Sequence, residues 1–407
     1  MLKINVRYNT LFWLIGYMTL ISPVIVLIYS YYGTGGAFLI KEFFYLCLVS
    51  CVPFIVMHKR MDPLGILLFI MLSIYLAFNF TFSEAAMFAK IASLRQFLAP
   101  IFFVTIGFYF TKSVKDLEEI YKAIILSVII VLVFGFVERF SDFWNFIDVA
   151  SFYRYKRINV SPEGLPYFWF EPRFGMTRMV STFLDPINLG HFFVLAFFVV
   201  KYEFELIFSS LKIYAILLVL ILIGLFLTLS KGAWLQFFLV FLILNKNLNV
   251  IIRLAGALLT LVGIVIYSQT HAGFWIHVDG FINIMDHITL SGHGVGTFGN
   301  YSSMYNLVDP RYLTGVGDSY WASIIGQFGL IGFLMWIFFF LKIVLHLRHH
   351  YISLVLLCQI FISALSENTF NVLSVFHILI LSGGLIKYSK NNGSGPPYLE
   401  SQKIDQF

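Results

Sequence analysis

Apolar segments long enough to cross a bilayer follow one another through nearly the whole chain, and only two long polar stretches, 139–187 and 268–318, interrupt them. A hydrocarbon layer about 30 Å thick takes roughly 20 apolar residues as a helix. Inside it, backbone groups are satisfied only by helices or closed barrels. The pattern therefore restricts the chain to an all-α, polytopic membrane helix bundle. Of the 407 residues, 59% are hydrophobic and 12% charged, against about 25% charged in a soluble domain. A water-soluble globule is excluded.

The expected spans lie near 10–30, 37–57, 63–80, 94–111, 120–138, 187–207, 212–230, 232–245, 250–267, 319–345, 351–366 and 369–387, about 12 transmembrane helices in all. They form a single membrane domain over residues 1–390, with a flexible tail, 391–407, rich in Gly, Pro, Ser and Asn. The first span has no small-residue cleavage site and is read as retained.

Orientation follows from Lys and Arg in the short loops. With Lys3 and Arg7 in the cytoplasm, alternate connections hold Lys59 and Arg60, Lys112 and Lys115, Lys201 and Lys212, Lys246 and Arg253, and Lys342 and Arg348. The tail, with Lys387 and Lys390, falls on the same side, so both termini are expected in the cytoplasm. The opposite short connections, 31–36 and 367–368, carry no basic residue. Both long loops then face outward. The first breaks the charge bias with Arg139, Arg154, Lys156, Arg157, Arg173 and Arg178. Arg154–Arg157 suit an ordinary solvated loop. Arg173 and Arg178 lie close to the next span, beside the interfacial aromatics Tyr167–Phe170, and point to an anionic ligand.

The net charge of +6 resides mostly in loops beside spans, so nucleic acid is not expected as a partner. Cys47, Cys51 and Cys358 all lie in apolar segments and supply neither a disulfide framework nor a metal cluster. No metal or cofactor is expected.

Three stretches carry the chemistry. Arg178 to His191 leads into the sixth span, with Asp185 or Asn188 able to cap the new helix. Ser230-Lys231-Gly232-Ala233-Trp234-Leu235 is a polar break between apolar helices, with a charge at a helix boundary. Ser291 to Gly299 is a glycine run, resumed at Asp318-Ser319-Tyr320-Trp321 and Gly329-Leu330-Ile331-Gly332. No strand precedes the glycines, which excludes a dinucleotide site. A tight loop with amides facing a phosphate is the better expectation.

In order and spacing these stretches resemble the O-antigen ligase and polymerase superfamily of bacterial envelope glycosyltransferases, over roughly 178–333. The resemblance rests on the S-R-G-A-W-L-like break at Ser230–Leu235, the G-x-G-x-G-x-F-like loop at Gly292–Phe298, the polar pair with an aromatic at Asp318–Tyr320, and Gly329–Gly332. Lys231 stands where the family usually has Arg, keeping the charge without the bidentate fork. Asp318-Ser319 stands where the ligase branch usually has His-Asn, which leans toward the polymerase branch.

The resemblance implies a multi-pass protein of the bacterial cytoplasmic membrane. It would transfer a glycan from a polyprenyl-diphosphate-linked oligosaccharide onto a growing O-antigen, capsule or exopolysaccharide chain at the outer face. A chain-length regulator and a flippase are the candidate protein partners. Arg178 and Lys231 would stabilise the leaving diphosphate, and Asp318 would take the acceptor's proton or else cap the tenth span. Arg173, Asp185, Asn188, His293, Arg311 and Tyr320 complete the expected substrate site, together with backbone amides at 185–190. His293 is the rival base and Glu367 a third; His377, in mid-span, is read as packed and hydrogen-bonded. The alternatives are a ligase moving finished polymer to a lipid or other acceptor, a flippase or other transporter, and a membrane scaffold. Against transport stand the charge-poor mid-spans and polar residues gathered on one side.

Overall fold

The computed structural model describes residues 10–32, 63–155, 158–171, 176–203, 210–245, 248–269, 272–305, 319–362, 364 and 372–392. The chain is mostly helical. Among these residues the one strand ladder pairs Phe170–Glu171 with Met176–Thr177, antiparallel. The principal helices are α1 (Thr10–Tyr32), α2 (Pro63–Thr81), α3 (Met87–Phe110), α4 (Val114–Phe140), α5 (Pro186–Glu203), α6 (Leu211–Leu227), α7 (Lys231–Leu244), α8 (Val250–Gln269), α9 (Ala272–Met285), α10 (Tyr320–His346), α11 (Tyr351–Ile362) and α12 (Val372–Asn392).

Each expected span coincides with a helix except 37–57, which lies outside the described residues, as does most of the tail. Among the described residues four helices, α1, α3, α4 and α10, are both long and apolar enough to cross a membrane. Their outward faces remain apolar: Trp13 and Val24 on α1, Val133 and Val137 on α4, and Leu334 and Phe338 on α10 are all exposed. A helix with no polar face suits lipid on one side and protein on the other. The stretch 268–318 is not simply a loop, because α8 runs to Gln269 and α9 follows at once. The first polar stretch contains short helices at Phe143–Phe146 and Val149–Tyr155 and two 3-10 turns.

Local chemistry explains several boundaries. Ser113 starts α4 with a capping box: its hydroxyl accepts the Asp116 N–H, and Asp116 Oδ2 accepts the Ser113 N–H at 2.9 Å. Helices α3 and α12 run side by side in close contact. A Cβ on Gly107 would lie 2.0 Å from the Ile380 carbonyl oxygen, and one on Gly383 would lie 2.1 Å from that of Val104. Glycine at both contacts lets the backbones touch, the usual device for packing helices where lipid removes a hydrophobic drive. In the core, His377 Nε2 lies 3.2 Å from the Thr19 hydroxyl, which is 3.0 Å from Ser127 Oγ. His377 is thus packed and hydrogen-bonded, linking α1, α4 and α12.

Helix α10 is broken. Gly329 has φ 63°, ψ −169°, and the segment 289–297 fills the break like a short strand. His293 N–H donates to the Gly326 carbonyl at 2.9 Å and Gly294 N–H to that of Gln327 at 3.0 Å. In return, Leu330 and Ile331 donate to the carbonyls of Thr289 and Leu290. Gln327 accepts the Gly296 N–H on Oε1 at 2.8 Å and donates from Nε2 to the Phe298 carbonyl at 2.8 Å. The glycine run is a joint, with its amides spent on the protein. This corrects the expectation of a phosphate cradle.

Candidate functional site

The first polar stretch is wired to the ends of three helices. Glu138, in the last turn of α4, is half-buried and accepts N–H groups from Val180 at 2.7 Å, Ser181 at 2.8 Å and the Trp144 indole at 2.7 Å. Its neighbour Arg139 donates from Nη1 to the Thr177 carbonyl at 2.7 Å and also binds the Thr177 hydroxyl. These contacts fix residues 177–181 against α4. From the other side, Met179 N–H donates to the Leu227 carbonyl at 2.9 Å, at the end of α6.

Arg178 is seated between them. Its backbone N–H donates to the Trp169 carbonyl at 2.6 Å. Its Nε donates to the Thr228 carbonyl at 2.8 Å and Nη1 to that of Phe168 at 3.2 Å. The guanidinium therefore sits on the carbonyl end of α6, where a cation complements the helix dipole. Three residues beyond Thr228, Lys231 opens α7 with its side chain exposed. The structure brings Arg178 and Lys231 to the same helix break.

The starts of α5 and α7 adjoin there. A Cβ on Gly190 would stand 2.8 Å from the Cβ atoms of both Ser230 and Ala233. Their chemistry differs. Asp185 caps α5, its Oδ1 accepting the N–H of Ile187 at 2.7 Å and of Asn188 at 3.1 Å. Those amides are spent, and a carboxylate occupies the place where an anion was expected. By contrast, the first turn of α7 has no side-chain cap among the described residues. The Ser230 hydroxyl beside it is buried and, among the described residues, has no hydrogen-bond partner, as is also true of Asn188 Oδ1. Such orphaned polar atoms are uncommon in an interior.

The aromatic floor is held by one carbonyl. Tyr153 OH, at 2.9 Å, and Trp169 Nε1, at 3.1 Å, both donate to the Leu184 oxygen, just ahead of the Asp185 cap. Burial, with the Asp185 charge adding to it, pushes the Tyr153 phenol well above its ordinary value, so it stays a donor.

The remaining expected residues divide. His293 and Tyr320 belong to the α10 joint. His293 Nε2 faces the His287 carbonyl at 2.8 Å and its ring packs on Phe298, while Tyr320 is buried against Trp321 and Trp336. Asp318, Arg173 and Arg311 lie outside the described residues, as does Glu367. The helix-cap role considered for Asp318 is filled by Ser319, whose hydroxyl accepts the Ala322 N–H at 3.4 Å.

Sequence reading missed Glu138, Arg139, His191 and Gln236. His191 and Gln236 are fully buried and joined through Nδ1 and Oε1 across the α5–α7 interface. The signal was present: a polar residue within an apolar span, where an unsatisfied group is costly. Compared with known proteins, the chain matches no family model, no curated protein and no solved structure.

Proposed function

We propose that the protein is a multi-pass glycosyltransferase of a bacterial cytoplasmic membrane that polymerises polyprenyl-diphosphate-linked repeat units at the outer face. About 12 spans with both termini inside are part of this proposal. The observation that carries it is the meeting of Arg178 and Lys231 at the uncapped first turn of α7. Two cationic side chains beside a helix start without a side-chain cap among the described residues are what a leaving diphosphate requires. Each donor aimed at such developing charge contributes about 3–4 kcal/mol to the transition state. The ordered motifs at Ser230–Leu235, Gly292–Phe298 and Asp318–Tyr320 support the same reading. For the acceptor's proton the sequence offers Asp318 and His293.

The test is purified full-length protein incubated with a polyprenyl-diphosphate oligosaccharide and resolved by gel. A ladder of products is expected. A single transfer would replace polymerase with ligase, and intact donor throughout would reopen the flippase reading.

A further inference from the structure

Resting on the proposed transferase reading, we infer that His191, rather than Asp318 or His293, accepts the proton of the attacking hydroxyl. The argument begins with Gln236, whose Nε2 donates to the Val355 carbonyl at 3.1 Å. A carbonyl needs a donor, so the amide is oriented with Oε1 toward His191 Nδ1. Nδ1 must then carry the ring proton, which leaves the lone pair on Nε2. The second residue orients the base, as in nucleophile–base–orienter arrangements generally.

Nε2 faces the first turn of α7. A Cβ on Gly232 would lie 3.7 Å from His191 Nε2, 3.8 Å from Cε1 and 3.9 Å from Ile362 Cγ2, with nothing nearer. Glycine at 232 thus leaves a notch beside the Nε2–Cε1 side of the ring. The notch adjoins Lys231 and the buried, unpartnered Ser230 hydroxyl. Among the described residues, Nε2 has no hydrogen-bond partner. A hydroxyl seated in the notch would find its acceptor there.

The step balances without a co-reactant. The hydroxyl oxygen bonds to the anomeric carbon, and the bond from that carbon to the diphosphate oxygen breaks. The electron pair departs on the diphosphate beside Lys231. The hydroxyl proton moves to Nε2, and the resulting imidazolium returns it to water or to the leaving diphosphate.

The test uses the purified full-length protein with a polyprenyl-diphosphate oligosaccharide and four variants, each checked for abundance and unfolding temperature. His191→Ala is expected to lower kcat by roughly 10²–10⁴-fold, with donor KM unchanged. Added imidazole should restore part of the rate. His191→Gln, which retains the packing but cannot take a proton, should be equally slow. Gly232→Ala is sterically tolerated at 3.7 Å yet fills the notch beside Nε2 and Cε1, and should slow transfer too. A His191→Gln enzyme as fast as wild type overturns the inference and leaves the transferase reading standing. An Asp318→Asn loss beside normal His191 variants assigns the proton to Asp318 instead. If wild type transfers nothing, the transferase reading fails and this one with it.

Discussion

At the scale of single residues, Arg178 does two jobs with one side chain. It ties the carbonyl end of α6 to the aromatic turn at Phe168, and it holds positive charge at the α7 break. Replacing it with Ala removes both. Transfer is expected to fall by roughly 10²–10³-fold, the loss seen for one preorganised donor, while protein remains in the membrane at normal abundance. Near-normal polymer from Arg178→Ala would take it out of the mechanism. At the other end of the bundle, His350 lies buried in the turn between α10 and α11. Burial pushes its imidazole down to about 3, with the Glu203 side chain 3.9 Å away. The unfolded chain binds the proton near pH 6.5, so the stabilising contribution is complete above that pH and is lost as pH falls toward 3. Below 6.5 it should decline by about 1.4 kcal/mol per pH unit. Thermal unfolding in detergent from pH 7 to pH 4 checks this: His350→Gln should show the shallower slope, and parallel slopes would contradict it.

At the scale of elements, the sequence disclosed some devices and hid others. The Asp185–Pro186 pair reads as a helix start because a short carboxylate before an N1 proline has that role, and Asp185 does cap α5. The glycine run was legible as a place of unusual backbone, and Gly292, Gly294, Gly296 and Gly299 all have positive φ. What those glycines serve was not legible, because the partner is a helix break more than thirty residues away at Gly329. Spacing within 291–299 contains no trace of it. Likewise α3 begins at Met87 rather than near residue 94, since Lys90 and Arg95 interrupt the hydropathy. Lys90 is accommodated by donating to the carbonyls of Phe80 at 3.1 Å and Ser83 at 2.5 Å, closing the end of α2. The joint makes a sharp prediction. Gly292→Ala would place a Cβ 2.2 Å from the Gln327 carbonyl oxygen at φ 79°. Backbone strain alone costs about 1–3 kcal/mol, so a clear drop in unfolding temperature is expected; an unchanged value would show that the joint yields. The α3–α12 contact should be as unforgiving, and Gly107→Val should reduce membrane abundance.

At the scale of the whole molecule, hydropathy identified the helical class because lipid allows so few backbone solutions. The count of crossings is harder to read, since short helices such as α7 and α11 can be buried between longer ones instead of exposed to lipid. The candidate site lies where chain-distant ends meet: the last turns of α4 and α6, the first turns of α5 and α7. The sequence marked Arg178 and Lys231 by their charge. It showed Glu138, His191 and Gln236 only as polar residues in apolar spans, and not the partners they meet, which come from distant segments. The central claim is that this meeting point opens to the exoplasmic side. The direct measurement is labelling of Lys231→Cys, with Cys47, Cys51 and Cys358 replaced, by a membrane-impermeant maleimide on intact cells. The account predicts labelling from outside at position 231 and none at a cysteine placed at Lys246; labelling at 231 only after the cells are opened would contradict it.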